Sequence, residues 1–118
     1  MPIIPFEPEN FECIYEGIII GSALQPPQER VGLKTLEIEA KLMTRLHKIS
    51  EPAPCGKRLA TGDTARLLIT PVMFELSRRE LELIMKYFQS VPWVIVKSPQ
   101  ILEIWDDLVS IMNEGAKC

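Results

Sequence analysis

Histidine is almost missing from this chain of 118 residues: His47 is the only one. Imidazole base catalysis therefore has a single candidate, with no orienting carboxylate marked beside it. No HxxxH, ExxH or Cys/His cluster supplies the ligands of a zinc or di-iron site. Glycine is sparse too, six residues in all. None of them builds a P-loop, a GxGxxG or a GxSxG, which leaves out phosphate-cradling loops and the nucleophile elbow. The three cysteines, Cys13, Cys55 and Cys118, are odd in number and widely spaced. They form no CxxC, and Cys55, between Pro54 and Gly56, has no activating signature around it. With no signal peptide in view, the expectation is a reduced, cytoplasmic setting. The longest apolar stretch, residues 17–24, is far too short for a bilayer, so no membrane role is expected. With Cys118 in last place, no prenylation box is expected. Neither a cofactor nor a metal is expected.

What is present is ordinary for one globular domain, with 47% hydrophobic and 25% charged residues. The net charge of −3 gives no general attraction to nucleic acid. Its distribution is uneven. Residues 1–39 carry seven acids and two bases, residues 40–79 eight bases and three acids, and residues 80–118 six acids and three bases. An acidic–basic–acidic layout can steer a partner or simply neutralise itself in the fold.

The strongest local signal lies in residues 67–88, LLITPVMFELSRRELELIMKYF. Ser77 and Glu80 have capping-box spacing, and Leu76 and Leu81 have that of a hydrophobic staple. Leu81, Ile84, Met85 and Phe88 then recur on one helical face. A helix is predicted over 78–90, ended by Pro92. Before it, residues 2–5 read as extended, and Pro8 at a first helical position starts a helix running to about Ser22. Gly17 and Gly21 on that helix form a GxxxG pair, read as tight packing inside the domain. A long helix is predicted from Glu29 to Ser50, with Leu33, Leu36, Ala40, Met43 and Leu46 inward and a Glu37–Lys41 pair outside. Pro52 and Pro54 stop it. Residues 55–70 read as a hairpin around Gly62-Asp63. Residues 93–97 (WVIVK) read as a short strand or a buried connection. Ser98-Pro99 opens the last helix, with Ile101, Leu102, Trp105, Leu108, Val109 and Met112 inward and Gly115 at its end.

The two ends of the chain echo each other. Residues 4–7 and 69–75 both precede a helix, and residues 11–14 align with residues 81–84. Leu36-Glu37-Ile38 with Leu42 matches Leu102-Glu103-Ile104 with Leu108. The expected architecture is a mainly helical α+β domain over residues 1–118. It has two helix pairs, 3–50 and 68–114, joined by the hairpin region 55–70; their likeness reads either as half-repeats or as the chance matching of amphipathic helices.

Arg78 and Arg79 occupy the first two helical positions, where cations oppose the macrodipole and acids are the usual occupants. With Lys57, Arg58 and Arg66 from the hairpin they form the candidate binding set, a basic patch for a phosphate or an acidic segment, the other reading being internal salt bridges to Glu75, Glu82 or the acidic helices. Glu9, Glu12 and Glu16 on the first helix, and Glu103, Asp106 and Asp107 on the last, read as solvated acidic faces. No catalytic residue is assigned. The functional expectation is a non-catalytic protein–protein interaction module that self-associates. A small inhibitor or adaptor of a larger complex, of the kind phages and mobile elements encode, has these properties. The apolar content is generous for four short helices, and Met43, Met73, Met85 and Met112 are adaptable fillers. The alternative is a small nucleic-acid-binding regulator that uses residues 57–79.

Overall fold

The computed structural model describes residues 2–25 and 32–116, and its main elements run β-α-α, a short β pair, then β-α-α again. They are β1 (Ile3–Phe6), α1 (Pro8–Ala23), α2 (Leu33–Ile49), β2 (Glu51–Pro52), β3 (Arg66–Leu67), β4 (Val72–Glu75), α3 (Arg78–Ser90) and α4 (Ser98–Ala116). Two short 3₁₀ turns, Pro54–Gly56 and Ile95–Lys97, complete the description. The expected mainly helical α+β architecture, with its small antiparallel sheets, is what the chain forms.

α3 forms where its caps predict. The Ser77 hydroxyl accepts from the Glu80 N–H at 3.2 Å, and the Glu80 carboxylate accepts from the Ser77 N–H at 2.8 Å. Leu76 and Leu81, the staple pair, are both fully buried. α1 starts differently. Glu7 is a poor cap, and it is Asn10 that closes the end, its side-chain oxygen accepting from the Glu7 N–H at 2.7 Å while its amide donates to the Pro5 carbonyl at 3.0 Å. The rings of Phe6 and Phe11 meet edge to face with centroids 5.2 Å apart across that start.

The N-terminal segment finds its partner far along the chain. β1 pairs antiparallel with β4, Ile4 opposite Phe74, Ile3 opposite Glu75 and Pro5 opposite Met73. Proline is tolerated because a two-stranded sheet has only edge strands. Ile4, Phe6 and Phe74 point into the core, while Ile3, Pro5 and Met73 face outward. The shift along the sequence that takes Ile4 to Phe74 also takes cap Glu7 to cap Ser77 and Phe11 to Leu81.

α1 and α3 cross at the centre of the core, and the GxxxG pair of α1 lies at the crossing. A Cβ on Gly21 would sit against the Tyr87 backbone, 2.7 Å from its Cα and closer still to its carbonyl oxygen. A Cβ on Gly17 would lie 2.7 Å from the Phe88 ring. Around this contact gather Ile14, Ile18, Ile84, Phe88 and Leu108, all nearly inaccessible to solvent. The ring of Trp105 stacks on Phe88 with centroids 6.2 Å apart.

Several expectations are corrected. The predicted start of the second helix at Glu29 lies outside the described residues. Leu42 and Leu46 are its buried positions, whereas Leu33, Leu36 and Ala40 face solvent. The apolar stripe is wider than the single surface that α3 offers: Thr35 and Ile38 lie half-buried beside α3, and Leu33, Leu36 and Ala40 stay uncovered. No Glu37–Lys41 ion pair forms among the described residues. The predicted hairpin keeps only an isolated Arg58–Thr64 bridge, its turn closed by Gly62 at φ +92°. Its regular ladder lies lower, where β3 pairs with β2 rather than with residues 57–61. Residues 93–97 are neither strand nor buried, and Leu102 faces out while Ile104 takes the inward place.

Gly21→Ala should therefore destabilise the protein by about 1–3 kcal/mol, although alanine is the better helix former by roughly 1 kcal/mol. Gly17→Ala should cost less, since a ring can rotate away and a backbone cannot. Urea midpoints of the two variants check the order; a stabilised Gly21→Ala would mean that the helices do not cross here.

Candidate functional site

The five basic residues singled out from the sequence do not share one face as free cations. Lys57 reaches α1 and pairs with Glu12 at 2.9 Å. Arg58 donates to the Gly62 carbonyl at 2.8 Å, within its own turn. Arg66 closes the C-terminal end of α2: its guanidinium donates to the Ser50 hydroxyl and carbonyl, each at 2.8 Å, and to the His47 carbonyl at 3.1 Å. That use follows from the orphan carbonyls of a helix end, which attract a cation. Arg78 pairs with Glu82 one turn on, at 3.4 Å. Arg79 lines a shallow groove of about 230 Å³ between α2 and α3, with Thr35, Ile38, Glu82, Leu83 and Lys86.

A residue outside that set, Arg45, has the densest contacts. Its guanidinium donates to both Glu80 carboxylate oxygens, at 3.1 and 3.3 Å, and to the Glu75 carbonyl. It lies over the Phe74 ring, 4.5 Å from the centroid. One carboxylate thus caps α3, anchors α2 and neutralises a cation stacked on β4. Glu80 is 8% exposed, and these bonds are what make its burial tolerable. Sequence pattern finds the cap but not the arginine, because the two stand on helices that meet only in the fold.

The chemistry available elsewhere is limited. His47 is exposed, with Nε2 3.3 Å from the Tyr15 hydroxyl, and burial of the ring followed by the charge of Arg66 holds its pKa below the usual value. Its groove partners are Met43, Thr44 and Lys48, with no carboxylate to orient it. Cys13 is buried, and burial pushes its thiol pKa up, which keeps it protonated and unreactive. Among the described residues no three His, Cys, Asp or Glu side chains gather as metal ligands. No helix among them is long and apolar enough to cross a membrane.

The conspicuous surface feature is apolar. Val94, Ile95 and Val96 are 59%, 89% and 91% exposed, and Leu102, in the early part of α4, is 61% exposed. The turn is held at both ends. The Trp93 indole N–H donates to the Phe88 carbonyl at 3.0 Å, and its ring meets Phe88 with centroids 5.0 Å apart. At the other end Lys97 closes the turn on the Val94 carbonyl and reaches Glu16 of α1 at 3.7 Å. Pro92 and Pro99 bracket the segment in sequence and leave it too short to cross the domain. That bracket was the available signal; the β-branched content pointed to a strand instead.

No family model, curated protein or solved structure matches this chain.

Two outcomes follow from the polar contacts. Replacing Arg45 by Met or Glu80 by Gln should each destabilise the fold by about 1–2 kcal/mol, less than a fully buried pair because Arg45 is partly exposed. A double-mutant cycle should show the two losses to be non-additive; simple additivity would remove the anchor role. Tyr87 donates to Glu39 at 3.2 Å, and burial first, then the Glu39 charge, pushes its pKa up to about 12. The unfolded tyrosine ionises first, near pH 10, so stability should fall as pH rises between about 10 and 12. Tyr87→Phe should flatten that alkaline slope in urea titrations, and an unchanged slope would refute the assignment.

Proposed function

We propose that this chain is a non-catalytic protein–protein interaction module whose contact surface is the apolar turn at Val94, Ile95 and Val96, extended by Leu102. The reading is carried by the exposure of three consecutive β-branched side chains on a segment fixed by Trp93 and Lys97. Covering apolar surface is favourable by roughly 25 cal/mol per Å². A pre-set turn also loses little conformational freedom on binding. Binding energy concentrates in such fixed anchors. A small inhibitor or adaptor works by occupying a partner's surface in this way, without a reaction centre of its own. The internal partners of Lys57, Arg58, Arg66 and Arg78 favour this reading over a phosphate-binding one. A phosphate would have to displace an existing contact at each of them.

The test is affinity capture from native lysate by the wild-type chain and by Ile95→Asp with Val96→Asp, each with and without nuclease. A defined protein should survive nuclease and moderate salt on the wild type and fall by about tenfold or more on the variant. The variant should unfold within about 0.5 kcal/mol of wild type, because the altered side chains are exposed. Equal capture by both chains, or capture of nucleic acid alone, would overturn the reading.

A further inference from the structure

We infer that the occupant of this surface is a second copy of the chain, docked through the outer face of α2, which matches α4 in pattern and opposes it in charge. The inference rests on the interaction-module reading and names its partner. The shift that takes Leu36 to Leu102 takes Leu42 to Leu108, and it aligns the two helices face for face. Leu42 and Leu108 are both buried, Leu36 and Leu102 are both exposed, and Thr44 and Ser110 both face solvent. On that shared outer face the apolar position is kept, Glu37 and Glu103 share one sign, and the charges of the following turns are inverted. Lys41 corresponds to Asp107, and Lys48 to Glu114.

The net charges of the two helices are opposite as well. α2 carries Lys34, Lys41, Arg45 and Lys48 against Glu37 and Glu39, whereas α4 carries Glu103, Asp106, Asp107 and Glu114 with no lysine or arginine. Lys41, Lys48, Asp106 and Asp107 have no ion-pair partner among the described residues. Each face also has exposed apolar residues in or just before its first turns: Leu33 and Leu36 on α2, and Ile95, Val96 and Leu102 at the start of α4. Laid side by side in parallel, α2 of one copy and α4 of the next put leucine beside leucine and lysine beside aspartate. Such pairing covers Leu36 and Leu102 and sets Lys41 and Lys48 against acidic positions. The contact is heterologous, because the two faces belong to different parts of the chain.

Two charge-reversed chains test it. Lys41→Glu with Lys48→Glu makes both faces acidic, and Asp106→Lys with Asp107→Lys makes both faces basic. In sedimentation equilibrium the wild type should self-associate, and each variant alone should do so about tenfold or more weakly. An equimolar mixture of the two variants should associate to within about threefold of wild type, because an acidic α2 then meets a basic α4. Added salt should weaken the wild-type contact. A wild type that stays monomeric overturns the inference. So does self-association that is indifferent to salt and to both variants, or a mixture no tighter than its components. In any of these cases, a different protein captured through Ile95 and Val96 leaves the interaction-module reading standing. Loss of such capture as well removes both.

Discussion

The close crossing of α1 over α3 is the constraint on which the other arrangements depend. Two glycines let the backbone of one helix approach the other to a distance that any side chain would prevent. Crossing so closely brings Ile14 and Ile18 against Ile84 and Phe88, and it sets the separation at which β1 can pair with β4. It also seats Trp93, whose ring lies beside Gly17 as well as Phe88. The exposed turn that follows Trp93 is therefore oriented by a contact at the middle of the core. Surface and interior are not independent here.

What could be read from the sequence divides along the range of the interaction responsible. Signals complete within a few residues were legible: the Ser77–Glu80 cap, the Leu76–Leu81 staple, Pro8 at the start of α1 and the stop after Ile49. Helix faces were legible only in part. The apolar periodicity of α2 and α4 is real, but periodicity does not say how much partner surface is available, and Leu33, Leu36 and Leu102 were left without any. Pairing across the chain was not legible at all. β1 could be recognised as extended but not assigned to β4, and Arg66 carried no mark that it would close a helix end. Of the basic candidates, Arg78 and Arg58 find partners four residues on, within reach of a sequence reading, whereas those of Lys57 and Arg66 are set by the fold.

Most of the polar chemistry goes into holding elements together. Glu80 caps α3 and anchors α2, Arg66 closes α2, Lys57 ties the central loop to α1, and Lys97 ties the exposed turn to α1. Each exchanges hydration for a contact between elements that have little shared apolar surface. The exposed apolar residues and the charges Lys41, Lys48, Asp106 and Asp107 on α2 and α4 take no part in these ties.

The pairing of β1 with β4 and of α1 with α3 has a consequence for synthesis. β1 and the inner face of α1 are completed by the second β-α-α segment, which leaves the ribosome later. Until Ser90 has emerged, Phe6, Phe11, Ile14 and Ile18 have nothing to cover them, and the nascent segment stays open to chaperones and proteases. Folding of the first segment thus waits on the second, and its rate is set by a long-range closure rather than by the quick formation of its helices.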